Sequence, residues 1–288
     1  MEVKPLTAGV CLLLTSLLLT SLCTACASVA PLPAPAPAAG TARTGPAGTA
    51  AARSRAAARP PAALARAVRC PAYPAAVYGT DPNRVPRAGS GGGTQLLTVT
   101  DPTAASTAGT FTAWARTGSG CWKPVSFPGQ PAQPFRAQTG YGGLLPITRR
   151  VPGDWATPTG LFPLGTTIYG NSVLSPSTRY PYHHLACGDW WDEQPGSPAY
   201  DTFQHVPCGT TPPYGADSEA LWTEIQPYQH FIDITMPHPP DHGAGIFLHD
   251  DMPEGYTEGC IALPDAELDA VLAWLNPARA PRILISIG

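Results

Sequence analysis

In the stretch GIFLHDDMPEGYTEGCIALP, Gly245 to Pro264, His249 closes an apolar run and Cys260 follows eleven positions later, between a glycine and a second apolar run. A thiolate is the reactive form of cysteine, and a neighbouring imidazole is the usual means of generating one at neutral pH. The run Gly245-Ile246-Phe247-Leu248 is β-prone, so a strand can present His249 at its exposed end. Gly259 lets the backbone turn tightly before Cys260, where amide N–H groups can face a developing oxyanion. On these residues alone a nucleophile with its base competes with a plainer reading, a hydrogen-bonded structural histidine beside a structural thiol.

Which reading holds depends on where the chain resides and on the other cysteines. Residues 1–27 read as an export signal: Leu12 to Leu19 is almost wholly Leu and Thr, and small residues follow at Ala25, Ala27 and Ala30. That apolar core is too short for a permanent membrane span. Leu22-Cys23-Thr24-Ala25-Cys26 resembles a bacterial lipobox with Cys26 as the lipidated residue, although Cys23 stands where that motif usually has Leu. Cleavage after Ala27 would instead release a secreted protein. Either way the protein is expected at the cell surface or in the cell wall, with membrane contact only through the lipid anchor.

The chain has 8 cysteines. Cys11 and Cys23 leave with the signal, and Cys26 is lipidated or removed. Five remain, and in an oxidising compartment two disulfides leave one thiol over. Closing the loop between Cys187 and Cys208 contributes roughly 3 kcal/mol in the chain-entropy picture. Cys70 and Cys121 then tie the start of the domain to its early hairpin, and Cys260 is the odd one. Other pairings are compatible with the sequence, and every complete pairing of five leaves one free thiol.

The elements that must position these residues are mostly strands. Residues 28–68 are an Ala/Pro/Arg-rich run with no aromatic and no acidic residue, which reads as a disordered tether. Residues 69–288 suffice for one packed domain. From Cys70 onward 10 Lys and Arg stand against 19 Asp and Glu, a net charge of −9. A basic tether on an acidic globule suits an anionic cell surface and argues against nucleic acid as a partner of the folded part. No obligate protein partner is evident. Short β-prone runs separated by turn residues cover Gln95–Thr100, Thr110–Ala115, Phe162–Leu164, His230–Ile234, Gly245–Leu248 and Ile283–Ile287. One helix is clear: Pro264, Asp265 and Glu267 suit a first turn, Leu268, Val271, Leu272 and Leu275 recur at helical spacing, and Asn276-Pro277 stops it. The expected fold class is mainly β, a β-rich α+β domain with that one C-terminal helix.

Larger patterns bear on the cysteine. Thr257-Glu258-Gly259-Cys260 resembles the [Ser/Thr]-x-Gly-Cys motif of the L,D-transpeptidase catalytic domain family, the YkuD type, with His249 in place of that family's upstream histidine. Gln95 to Thr100 looks like its opening strand and Phe111 to Trp122 like the hairpin after it. Gly153-Asp154 with Thr157-Pro158-Thr159-Gly160-Leu161-Phe162-Pro163-Leu164 matches the Gly-Asp…Thr-Pro-x-Gly-x-Phe signature. Trp190-Trp191-Asp192 to Thr202, Ile232-Asp233 and Gly243 to His249 continue it in order.

The resemblance implies a YkuD-like β-sandwich and an enzyme acting on peptidoglycan stem peptides. Cys260 would attack the carbonyl between the third, L-configured and the fourth, D-configured residue. His249 would relay the proton as general base and acid, and the backbone at Gly259 would donate to the oxyanion. An acceptor amine would then take the thioester to give a 3-3 cross-link, with no metal or other cofactor. Two alternatives stand beside it: an L,D-carboxypeptidase with water as acceptor, and a peptidoglycan-binding surface lipoprotein without turnover.

Departures from the family pattern are specific. Glu258 precedes Gly-Cys where many members have His or a small residue, and it opposes thiolate formation if it points at the thiol. Ala262 stands where the family typically has Arg or Asn. The spacing from His249 to Cys260 is short. Asp250 or Asp251 could orient His249, although in the family a backbone carbonyl commonly does so.

Thr257, Glu258, Trp191 and Tyr200 are the residues expected to meet substrate, with Trp190 and Tyr214 as further groove aromatics. Arg149 and Arg150 could meet a substrate carboxylate, but exposed loop charges are the commoner explanation. Histidine groupings such as His183-His184 with Asp189, or His238 and His242 with His249 and Asp250, lack any metal-ligand spacing. His230 could lie on a strand near the site, with packing as the default reading.

Overall fold

A computed structural model describes residues 68–86, 88, 90–174, 177–215, 218–237 and 242–288. The export signal, Cys26 and residues 28–67 of the tether therefore lie outside the described residues, as does His238. The domain is mainly β. A short helix α1 (Ala75–Tyr78) precedes β1 (Gln95–Asp101), β2 (Ala108–Arg116), β3 (Trp122–Pro124), β4 (Phe135–Gln138), β5 (Leu144–Pro146) and the long β6 (Thr157–Gly170). Then come β7 (Tyr182–His184), β8 (Asp189–Asp192), β9 (Thr202–His205), β10 (Glu219–Ala220), β11 (Phe231–Ile234), β12 (Phe247–Asp250) and β13 (Ile261–Leu263). Helix α2 (Asp265–Trp274) and β14 (Arg282–Ile287) end the chain.

The large sheet runs β1-β14-β6-β11-β12-β13-β4-β2-β3, and the added pairing of β1 with β2 closes it on itself as a barrel-like sandwich. β8, β9 and β10 form a separate small sheet in the order β10-β8-β9. β1 is buried at every residue. It lies between β14, parallel, and β2, antiparallel, and both its faces are covered. On the inner face Leu97 and Val99 join the main core. On the outer face Leu96 packs with Trp114 and Trp122, and Trp114 Nε1–H donates to Thr98 Oγ1 at 2.9 Å. The segment before β1 covers that outer face through Tyr73 and Tyr78. The Cys70–Cys121 disulfide anchors it there.

Helix α2 forms where the helical spacing predicts it. Leu268, Val271 and Leu272 face the main core, and each buried aliphatic side chain contributes about 1.5–3 kcal/mol. Pro264 sits at the N-cap with Asp265 and Glu267 in the first turn, where the helix dipole favours acids. Gln95 holds the other end: its Nε2 donates to the Trp274 carbonyl (2.9 Å) and its Oε1 accepts from Asn276 N–H (2.8 Å). Beneath the helix, β12 and β13 run parallel with Leu248 opposite Ile261 and His249 opposite Ala262. Strand alternation puts Leu248, Ile261 and Leu263 into the main core under α2. The opposite face carries Phe247 and Cys260 in a second apolar cluster with Tyr228, Phe231 and Trp191, the last from the small sheet.

Asp233 on β11 is held well above the ordinary carboxylate range, at about 7, chiefly by burial, with repulsion from Asp201 adding to it and the Thr235 hydroxyl bond opposing it. A carboxyl raised in the folded state stabilises the fold while protonated, and that contribution is lost as pH rises from about 4 through about 7. Asp233→Asn should therefore melt several degrees above the parent at pH 8, at roughly 2–4 °C per kcal/mol for a domain of this size. The gap should close toward pH 4, and melting curves across that range check it. A gap that is constant with pH would contradict the assignment.

Candidate functional site

His249 and Cys260 come together because β12 and β13 are parallel neighbours in a fixed register. His249 pairs with Ala262, and Cys260 stands two residues before Ala262, so both side chains leave the same face of the sheet. They line one cavity of about 970 Å³. The connection between the strands is clamped to β4. Gln138 Nε2 donates to the Met252 carbonyl (2.8 Å), and its Oε1 accepts from Met252 N–H (2.8 Å). Thr257 N–H donates to the Thr139 carbonyl (3.0 Å), and the Thr257 carbonyl accepts from Tyr141 N–H (2.7 Å). The motif turn is thus fixed at both of its ends.

The turn also explains two of its residues. Thr257 Oγ1 donates to the Cys260 carbonyl (2.7 Å) and accepts from Gly259 N–H (3.2 Å). Gly259 has φ +128°, and a Cβ there would stand 3.1 Å from the Ala156 carbonyl oxygen, so only glycine fits. The Gly259 amide, expected to donate to the oxyanion, here donates to Thr257 Oγ1.

The imidazole is fully sequestered. Nδ1–H of His249 donates to the backbone carbonyl of Asp250 at 2.6 Å, which leaves Nε2 as the acceptor of the neutral ring. The orienting group is that carbonyl. The Asp250 carboxylate accepts from His230 N–H (2.7 Å) instead. Tyr228 meets the imidazole edge-on at 5.9 Å. Burial pushes the His249 pKa down to about 4, partly offset by the Asp250 bond, so the ring is neutral at pH 7.

The thiol is buried as well. Phe247 N–H donates to Sγ (3.3 Å), and the thiol donates to the Gly245 carbonyl (3.2 Å). Burial raises its pKa well above the ordinary thiol range; Glu219 and Glu193 push it further up, while the Phe247 amide and Arg150 pull it down. The carboxylates that oppose the thiolate therefore belong to the small-sheet region. Glu258, the residue the sequence singles out, is exposed at the cavity and acts on Glu219 instead. Glu219 is itself raised to about 7, by burial first, and its Oε2 accepts from Tyr228 O–H at 2.5 Å.

The resting centre is a neutral thiol beside a neutral imidazole. Without ligand, Cys260 should react with iodoacetamide at pH 8 at least about 100-fold more slowly than an exposed peptide cysteine, in line with its smaller thiolate fraction. The rate should keep rising with pH beyond 9. A plateau near neutral pH would show a preformed ion pair and contradict this picture.

Among the described residues the disulfides are Cys70–Cys121 and Cys187–Cys208, and Cys260 is free. The second closes the small-sheet region, which brings Trp190, Tyr200, Glu193 and Glu219 to the cavity. Trp191, expected to meet substrate, does not line it. Its ring packs at 4.9 Å edge-on against Phe247, and its Nε1–H donates to Asp201 Oδ1 (2.8 Å) in the core. Trp190 is the adjacent indole that reaches the cavity, with Tyr214 packed against it at 5.9 Å.

His230 pairs with Asp269 of α2 (2.8 Å) on the far side of the sheet. His183 and His205 both bond Asp189, at 2.8 and 2.7 Å, and His242 Nδ1–H donates to the Arg150 carbonyl (2.8 Å). Among the described residues no three His, Cys, Asp or Glu side chains converge as a metal-binding group.

Two of the cavity residues, Trp155 and Tyr256, are not marked as such in the sequence. Trp155 and Tyr256 are exposed at the mouth, each against Tyr141, and Arg150 is buried at the wall. Separation along the chain from Cys260 hides Trp155, and nothing but proximity to the motif marks Tyr256; Arg150, which the sequence offers for a substrate carboxylate, is buried where a loop charge would be exposed.

A family model described as the L,D-transpeptidase catalytic domain, YkuD, matches residues 98–284, a span that includes every one of these cavity residues. No curated protein and no solved structure matches the chain.

Proposed function

We propose, since the chain belongs to the YkuD family of L,D-transpeptidase catalytic domains, that it is an exported cysteine acyltransferase of peptidoglycan with Cys260 as nucleophile and His249 as base. The family acts on peptidoglycan peptides. The observation that carries the finer reading is the shared face: a free thiol and a neutral imidazole on adjacent parallel strands open into one cavity.

Because neither group is charged at rest, His249 Nε2 takes the thiol proton as Sγ attacks, not before. The carbonyl attacked joins the third, L-residue to the fourth, D-residue of a stem peptide. The tetrahedral intermediate collapses when His249 returns that proton to the departing amine, which releases the D-amino acid and leaves a thioester on Cys260. A side-chain amine of a second stem then attacks the thioester, His249 takes its proton, and the thiol is restored as the 3-3 cross-link forms. The Asp250 carbonyl holds the ring in the tautomer both steps require. Export is supported by the apolar run at Leu12–Leu19 and by two disulfides, which persist in oxidising compartments. Lipidation of Cys26 would hold the domain at the membrane, with residues 28–68 as its tether.

The suppressed acidity of Cys260 and the two carboxylates beside it favour a second reading, a peptidoglycan-binding module without turnover. Incubation with a tetrapeptide stem, with and without an amine acceptor, separates the cases. Transfer gives a cross-linked dimer, hydrolysis releases the D-amino acid without dimer, and a binding module releases nothing while retaining affinity for the stem.

A further inference from the structure

The Arg150 side chain departs from the loop-charge explanation. It is 4% exposed, although it lies in the connection after β5. Its Nε and Nη2 both donate to Asp154 Oδ1, at 3.2 and 3.0 Å. Asp154 is fixed in turn by Val151 N–H and Ala156 N–H, each at 2.9 Å. The remaining nitrogen, Nη1, is buried and has no hydrogen-bond partner. A buried donor left without a partner is destabilising, more so when the group is charged, so this one is expected to have a use.

Its surroundings say where the donor works. Arg150 lines the same cavity as His249 and Cys260. The guanidinium lies against two glycines from separate loops that frame the thiol. A Cβ on Gly259, which precedes Cys260, would stand 3.5 Å from Nη2, and one on Gly243 would stand 3.2 Å from it. Gly243 leads directly to Gly245, whose carbonyl accepts the thiol proton. Side chains at either glycine would crowd the guanidinium, so both loops leave room for it. Among the described residues that line the cavity, Arg150 is the one with a permanent positive charge, while Glu193, Glu219, Glu224, Glu254 and Glu258 are carboxylates. An anionic group of a ligand is repelled from the rest of the cavity and attracted to this point.

We propose that Arg150 is the specificity-determining residue for the acyl donor, its buried Nη1 binding the free carboxylate of the terminal residue that leaves when Cys260 attacks. This rests on the reading of the site as a peptidoglycan acyltransferase. A donor whose scissile amide is followed by one residue carries a carboxylate one carbon from the departing nitrogen, and Arg150 beside the Gly259-Cys260 turn is in place for it. A donor with a blocked or extended end has no such charge to offer. The acidic remainder of the cavity suits the cationic amine of the acceptor by the same logic of charge.

The test compares two synthetic stem tetrapeptides that differ only in ending as free acid or as carboxamide. Wild-type protein should prefer the acid by tenfold or more in kcat/KM, about what one charge-assisted hydrogen bond supplies. In Arg150→Met the ratio of the two donors should fall to within about twofold, with Arg150→Lys between. Equal use of both donors by the wild type, or a preference that survives in Arg150→Met, would overturn the assignment; the wild-type comparison holds even if the variant fails to fold. Dissociation constants of the two peptides for Cys260→Ala protein give a readout that needs no turnover. Preferential binding of the acid there, with no turnover of either peptide by the wild type, would uphold the subsite and remove the proposed catalysis. Equal or absent binding of both would remove the subsite.

Discussion

Cys260→Ala protein should release no terminal D-amino acid from a tetrapeptide stem, a loss of at least about 10⁴-fold, because the nucleophile has no substitute in the cavity. The substitution removes one sulfur from a well-packed cluster with Phe247, Phe231 and Tyr228. Its Phe247 amide loses only a weak acceptor. The fold should therefore persist, and a melting curve near the parent's separates lost chemistry from lost structure. Release measured by mass spectrometry at parental levels would remove the cysteine from the mechanism.

His249→Gln should slow the same release by about 10²–10⁴-fold, the usual contribution of a positioned base. Glutamine can keep a bond to the Asp250 carbonyl through its amide but cannot accept the thiol proton. The pH profile adds a sharper expectation. The base must be neutral to act, and burial holds its pKa near 4, so parental activity should fall as pH drops through about 4, well below the ordinary histidine range. That acid limb should be missing from the residual activity of His249→Gln. A parental limb centred near 6.5 would mean that the imidazole is solvated in the working enzyme and that the buried His249 described above is not its reacting form.

Much of the frame was legible because its signals are local. β1 and β14 announce themselves as apolar runs between turn residues, and α2 carries its own spacing, acidic first turn and stop. The free thiol followed from the arithmetic of five cysteines. β6 was legible only around Phe162–Leu164, because Pro158, Gly160, Pro163 and Gly165 interrupt a strand that in fact runs from Thr157 to Gly170. Strands of two or three residues such as β5, β7 and β10 have no period to read.

The site's electrostatics were largely illegible. Trp190 and Trp191 are identical neighbours on β8, and alternation sends one to the cavity and the other to the core with nothing in the sequence to say which. Glu193 and Glu219 act on Cys260 only because the small sheet folds over it. Arg150 looks like a loop charge until Asp154 and two distant glycines are seen to enclose it. The commitment of the Gly259 amide to Thr257 depends on a rotamer, which no motif spells out.

The account stands most directly on the covalent step. Wild-type protein mixed with a tetrapeptide donor alone, quenched in acid within the first turnover and digested, should carry on Cys260 an acyl group with the mass of the donor less its departed D-amino acid. An adduct on another residue, or turnover with Cys260 unmodified at every time sampled, would contradict it.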